Sequence, residues 1–274
     1  VGRDRQKEID NQNNLHVSAS DKKKLPVKPI SVERDRPQRR KIDPRLPQPP
    51  FRLGLIAPTG GGKTVLAVNL LMRAHFYREY FERVFVWSPT IQENPEWKEI
   101  VDQITETYED VLDVGNQISD IIEHQKIDQE PILCIFDDED ENISKNTDVI
   151  YLMKRGRHFN ISSILMSQQY NTLSAKIRTQ FSNLCIWRVP GGLELETITK
   201  RQRGFLTRRE FEQALFKATE DPHSFLHINH QTNDQSLRYM KNFDAKIFKG
   251  HLLKQEFDKD VDISDGTKSP STSS

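Results

Sequence analysis

The chain is short of several things. It has two cysteines in 274 residues, Cys134 and Cys185, each inside an apolar run, ILCIF and NLCIW. Two thiols build no disulfide framework and show no zinc spacing, so both read as small core residues suited to a reducing compartment. No apolar run approaches the ~18 residues needed to cross a bilayer, and no signal peptide is legible, so no membrane insertion is expected. Twelve glycines are too few for a repeat protein, and no period is visible. Net charge is missing as well, because 40 Lys+Arg balance 40 Asp+Glu.

That balance hides an asymmetry. Residues 1–50 carry 13 Lys/Arg against 7 Asp/Glu, so the remainder carries the opposite surplus. Hydrophobic residues reach only 35% and charged ones 29%, a polar composition that implies unfolded ends. Residues 1–48, rich in Pro, Arg, Lys and Asn without periodicity, read as a disordered basic arm. Such an arm suits an anionic partner or is simply a solvated tail. Residues 256–274, ending GTKSPSTSS, read as a disordered tail. Residues 49–255 are left as one folded domain.

What is present begins with IAPTGGGKTVLAVNLL, residues 56–71. Tested against G-x-x-x-x-G-K-[ST], the octet runs from Ala57 to Thr64, with alanine where the strict pattern has its first glycine. The mechanism tolerates this. Pro58, Thr59, Gly60, Gly61, Gly62, Lys63, Thr64 and Val65 supply the wrapping backbone, and glycine reaches the positive φ that such a wrap needs. A helix beginning near Lys63 turns the positive end of its dipole to the same phosphate. Lys63 then reaches the β- and γ-phosphates, and the Thr64 hydroxyl is placed to ligate Mg²⁺. The apolar stretch 51–56 before the loop reads as a strand, and 63–77 as a helix, which is the context the motif requires.

Short β-branched runs alternate with helical patterns along the rest of the domain. Strands are expected at 83–88, 131–137, 161–167, 183–189 and 224–229. Helices are expected over 95–126, broken near Gly115, over 146–156 and over 207–219, the last opened by a capping box of Thr207 and Glu210. The fold class is therefore α/β, a P-loop NTPase with a mostly parallel central sheet covered by helices on both faces. In such sheets ligands sit at the carboxyl ends of the strands.

Two further motifs fall there. PILCIFDDED, 131–140, delivers Asp137 to the sheet edge, where a carboxylate can hold Mg²⁺, usually through water. Asp138 is the candidate to orient and deprotonate the attacking water, with Glu139 in reserve. The strand ISSILMS ends at Gln168, whose amide can sense the γ-phosphate or position the water. In the chain, strand 83–88 separates the glycine loop from the acidic strand. That arrangement points to the ASCE (RecA-like) division, which uses a catalytic acid and a polar sensor. No Asn/Thr-Lys-x-Asp guanine signature follows, so ATP is the expected nucleotide.

IAPTGGGKT, ILCIFDD and above all GRHFNISSILMSQQYNTLSAKIR (156–178) resemble the DNA-packaging ATPases of nucleocytoplasmic large DNA viruses, virophages and polinton-like elements. This group includes the poxvirus packaging ATPase and belongs to the FtsK/HerA superfamily. The resemblance spans roughly residues 50–250. It departs from cellular relatives at Asp138, where those usually carry Glu. It implies ATP hydrolysis with Mg²⁺ coupled to translocation of double-stranded DNA into a preformed capsid. It further implies a homo-oligomeric ring, hexamer or pentamer, with a capsid or portal partner, in the virion or at the site of viral assembly. Active sites in such rings lie between subunits, and a neighbour's arginine stabilises the transferring phosphate. Arg157 matches the Gly-Arg of the family block and ranks first, Arg178 second, and Arg155 is a further candidate.

DNA contact should run through phosphates without reading sequence. KRQRG (200–204), TRRE (207–210), Lys176 and Arg178 are candidates, or ordinary solvated surface. The basic arm can serve a capsid, a partner protein or DNA. His223, His227 and His230 have no cysteine nearby to complete a metal set, and the tryptophans read as packing residues. Tyr170 reads as packing too, with the adenine or a neighbouring subunit as the alternative. The rival function from another class is a nucleotide-bound scaffold or assembly module; a DNA pump of the FtsK/HerA type not involved in packaging is the rival within enzymes. Intact Lys63, Thr64, Asp137 and Asp138 speak against the scaffold.

Overall fold

The computed structural model describes residues 40–100, 102, 104–108, 114–137 and 140–247. Nine strands form one sheet: β1 (Arg52–Ile56), β2 (Arg83–Trp87), β3 (Glu106–Tyr108), β4 (Ile132–Phe136), β5 (Ile161–Ser167), β6 (Asn183–Ile186), β7 (Leu226–Asn229), β8 (Tyr239–Lys241) and β9 (Ala245–Lys246). Their order across the sheet is β3-β2-β4-β5-β1-β6-β7-β8-β9. The first six in that order are parallel, and β7 to β9 continue antiparallel. In sequence, β2 separates the phosphate loop from the acidic strand. In the sheet the strand between them is β5, and β2 lies beyond β4.

The central strands are buried on both faces, as parallel strands between helices must be. The pleat sorts their side chains by alternation. Leu53, Leu55, Leu133 and Ile135 join α1 (Lys63–Met72) and α2 (Pro95–Lys98) on one face. Ile56, Ile132, Cys134 and Phe136 join α3 (Val114–Asp128), α5 (Thr147–Arg155), α6 (Ala175–Arg178), α7 (Gly192–Gln202) and α8 (Arg208–Ala218) on the other. A short α4 (Asp140–Lys145) links the acidic strand to α5. Gly54 in β1 is a packing requirement, because a Cβ there would lie 2.7 Å from Leu184 Cδ2.

Local chemistry sets several helix starts. Asn94 caps α2 by accepting from the Glu96 N–H, with Pro95 at the first position, where its missing donor costs nothing. Asn146 accepts from Asp148 N–H (2.8 Å) and Val149 N–H (3.1 Å) at α5. The expected capping box at α8 is present in both directions.

Elsewhere the elements differ from expectation. The helix expected over 63–77 ends at Met72, since Arg73 turns extended and Tyr77 folds inward to bond Pro47 O through its hydroxyl at 2.6 Å. The helical stretch expected over 95–126 is instead α2, strand β3 and α3. Thr105 captures the chain for the sheet: its N–H donates to Val84 O (2.8 Å) and its hydroxyl accepts from Val84 N–H (2.9 Å). Helix α7 and strands β8 and β9 had no expectation attached. Gly191 and Gly192, both at positive φ, punctuate the chain just where α7 begins and mask its start.

Residues 40–48, assigned by sequence to the disordered arm, pack on the domain. Leu46 is buried, and Arg40 donates to the carbonyls of Ala74 and Phe76. The rest of the arm and the 256–274 tail lie outside the described residues.

Candidate active site

The phosphate loop leaves β1 at the carboxyl edge, where the Ala57 N–H still donates to Ser167 O of β5 at 3.1 Å. Gly60 and Gly62 take φ of 75° and 101°, and Gly62 forms the left-handed N-cap of α1. Gly61 closes the turn by donating its N–H to Pro58 O at 3.0 Å. A Cβ on Gly61 would lie 2.8 Å from the Ala57 Cβ and 3.0 Å from Pro58 O. The alanine at the first position of the octet thus fits only because residue 61 has no side chain. Lys63 is buried, and its ammonium donates to Ala57 O at 3.0 Å, which holds the charge within the turn of the loop.

The acidic strand ends two strands away. Asp137 is buried, and its N–H donates to Trp87 O at 2.8 Å, which extends the ladder by one residue. Its Oδ2 accepts from the Trp97 indole at 3.2 Å and from the Ser88 hydroxyl at 3.4 Å. Sequence reads Trp97 as a packing residue and does not single out Ser88, yet both bond the Asp137 carboxylate. The signal was available for Ser88, which follows β2 at the same edge. Trp97 arrives because α2 packs on α1. Gln168 ends β5 between the two motifs and is exposed at that edge. Asp138 and Glu139 lie outside the described residues.

The expected arginines are not gathered here. Arg157 sits in a 3-10 turn, Gly156–Phe159, that precedes β5, so it lies at the opposite sheet edge. The seven residues of β5 put roughly 20 Å between it and Gln168 at about 3.3 Å per residue. Its charge acts on Arg52, whose pKa burial and Arg157 together lower. Arg178 ends α6, stacks 5.3 Å over the Tyr170 ring and donates to Asn171 Oδ1 at 3.4 Å. It lines a separate cavity of about 860 Å³ with Lys200 and Arg201. Tyr170 is fully buried, and its hydroxyl accepts from Gln202 Nε2 at 2.7 Å. It is a packing residue.

The three histidines form no metal set, and no metal-ligand cluster occurs among the described residues. His227 is buried with Nε2 3.0 Å from Asn183 Oδ1, and His230 Nε2 lies 2.9 Å from Gln202 Oε1. Burial, with His230 nearby, pushes the pKa of His227 down to about 3; burial and Arg238 lower that of His230 to about 4. His223 instead comes to the phosphate loop, with Nδ1 3.4 Å from Gly61 O.

A family model described as Poxvirus A32 protein matches residues 38–213, well over half of the chain. The chain belongs to the poxvirus A32 family. The match bears out the resemblance carried by the phosphate loop, the acidic strand and the 156–178 block: this is an A32-family packaging ATPase. No curated protein matches it. Among solved structures, it is similar to the genome packaging NTPase B204 of Sulfolobus turreted icosahedral virus 2. The AMP complex of that protein aligns with a TM-score of 0.54 at 16% identity, over 71% of this chain and 98% of the other. Its ATP-gammaS complex aligns at 0.50 and 14% identity, over 70% and 96%. The DNA-packaging ATPase B204 from Sulfolobus turreted icosahedral virus aligns at 0.50 and 15%, over 66% and 93%. At such identities the likeness concerns the fold alone, an α/β P-loop NTPase-like fold with a mostly parallel sheet flanked by helices. No helix among the described residues is long and apolar enough to cross a membrane.

Proposed function

We infer that this A32-family protein hydrolyses ATP with Mg²⁺ and uses the cleavage to drive double-stranded DNA into a capsid. The observation that carries the reading is the order of side chains along one sheet edge. The glycine loop with Lys63 ends β1, Gln168 ends the adjacent β5, and Asp137 ends β4 beyond it. Two strand spacings, about 10 Å, separate the outer two. The donor set suits a hard cation, since a hydroxyl and a carboxylate are oxygen ligands.

Thr64 and Asp137 would hold the metal, which supplies charge neutralisation at the phosphoryl oxygens when bound. The loop N–H groups and the α1 terminus bind the polyphosphate. Lys63 places a full positive charge where negative charge builds up during cleavage. Trp97 and Ser88 orient the Asp137 carboxylate. Gln168 aligns the attacking water, and Asp138 accepts its proton. Arg157, at the opposite sheet edge, and Arg178, in a separate cavity, serve a neighbour's site in a homo-oligomeric ring, with Arg157 ranked first. Lys200 and Arg201 contact DNA phosphates, and a capsid or portal component receives the ring.

The test is ATP turnover with and without long duplex DNA. Stimulation by DNA that is lost in Lys63→Ala is expected, and Asp138→Asn should retain ATP without cleaving it. Turnover that ignores DNA of any length contradicts the coupling. For the shared site, mixing Arg157→Ala with Lys63→Ala subunits should restore part of the activity, and no recovery at any ratio removes Arg157.

A further inference from the structure

Helices α7 and α8 each carry a glutamate at the third position, and they spend it differently. In α8, Glu210 Oε2 accepts from the Thr207 N–H at 2.7 Å and so caps its own helix. In α7 the third position is Glu194, and no side chain caps the helix start at Gly191. Both Glu194 oxygens serve another segment instead. Oε1 accepts from the Tyr170 N–H, and Oε2 accepts from the Asn171 N–H at 3.2 Å. Gly191 and Gly192, at φ 94° and 64°, set the direction in which α7 starts. A Cβ on either would meet nothing within 4 Å, so glycine is needed there for the backbone conformation and not for space.

The segment so held is the turn that carries Gln168. Just before it, Ser167 O accepts from the Ala57 N–H of the phosphate loop at 3.1 Å. Within the turn, the Ser167 hydroxyl donates to Gln169 O at 2.6 Å and accepts from the Gln169 N–H at 3.2 Å. Thr172 Oγ1 donates to the same carbonyl at 2.7 Å. Those bonds set the shape of the turn, but both partners of each move with it. The later half of the turn is fixed against a separate element by Glu194 and, at the other end of α7, by Gln202 through the Tyr170 hydroxyl. Of the two, Glu194 is the stronger hold, because a carboxylate taking two adjacent N–H groups makes charge-assisted bonds. It grips the backbone two and three residues after Gln168, near enough to set where that amide projects.

We propose that Glu194 is a positioning residue for ATP cleavage: by clamping the Tyr170–Asn171 backbone to α7, it holds the Gln168 amide toward the terminal phosphate and the attacking water. The proposal rests on the reading of Gln168 as the residue that aligns that water. Glu194 acts through the backbone and not on the nucleotide, so its loss should appear in the cleavage step and not in binding. A misplacement of about 1 Å is enough to slow cleavage by up to ~10²-fold.

The test compares single and double variants of the full chain. Glu194→Gln keeps the length but offers one acceptor oxygen to two N–H groups. Turnover at saturating ATP should fall about tenfold, while affinity for a non-hydrolysable ATP analogue stays within about twofold. Gln168→Ala should itself lower turnover. Adding Glu194→Gln to it should cost less than about a further twofold, because the amide being positioned is gone. A merely structural clamp would multiply the two losses or weaken analogue binding. Either result overturns the proposal, as does full turnover in Glu194→Gln. Should Glu194→Gln not fold, Glu194→Asp, which keeps the charge one methylene short, carries the same comparison with an expected loss of about threefold. Wild-type turnover in Gln168→Ala overturns the reading of Gln168, and this proposal with it.

Discussion

The two flanks of the phosphate loop are built differently. On one side β5 and β4 are parallel, buried on both faces, and each hands a single residue to the edge, Gln168 and Asp137. On the other side β7 and β8 are antiparallel, so the edge receives the start of one strand, 223–225, and the end of the next, 242–244. A parallel strand offers this edge only its exit, and the helix that follows carries the chain away. An antiparallel pair offers an entrance and an exit together, enough chain to wall a cavity. The parallel flank places charges for chemistry, and the antiparallel flank encloses volume.

The largest way to break that division is at its centre. Lys63→Ala should lower ATP turnover by roughly 10²–10³-fold or more, the cost of losing one transition-state charge, and steady-state phosphate release measures it. Gly61→Ala tests the loop between the flanks. The new Cβ meets the Ala57 Cβ and Pro58 O, an overpacking that should weaken ATP binding roughly tenfold. Ala57→Gly added to it removes the first of those contacts and should return part of the affinity, as titration calorimetry would read. On the chemical flank, Trp97→Phe removes one donor to Asp137 and should raise the Mg²⁺ concentration for half-maximal turnover by about three- to tenfold.

The antiparallel flank has its own pH signature. His227 Nε2 faces Asn183 Oδ1, and Nδ1 is buried without a partner, so the ring is held neutral. Its folded pKa of about 3 lies below the unfolded value near 6.5. Between those values the unfolded chain binds the extra proton, so stability is complete above pH ~6.5 and declines as the pH falls toward 3, by up to roughly 4 kcal/mol. Urea midpoints measured from pH 7 to pH 4 should drop, and His227→Gln should flatten the slope.

The same division governs what could be read from sequence. The chemical flank was legible because its strands are continuous apolar runs, ILCIF and ISSILMS, each followed at once by its functional residue. Strand β5 was bounded correctly at both ends for that reason. The antiparallel flank was legible only in part: the strand expected at 224–229 is β7, but β8 and β9 were not foreseen. Its strands are four residues or fewer, and its edge residues sit in turns whose positive φ falls on His223 and Asn242 rather than on glycine. HSFLHINHQ reads as a histidine-rich strand, yet one histidine serves the loop, one the core and one the Gln202 network. Trp97 was hidden because its role depends on α2 docking on α1, a contact no local pattern records.

A structure of the protein with Mg²⁺ and a non-hydrolysable ATP analogue tests the central claim most directly. The account predicts the terminal phosphate at Lys63 and Gln168 and the metal at Thr64 on the Asp137 side. A terminal phosphate lying toward His223, with the metal away from Asp137, would reverse the two flanks and contradict it.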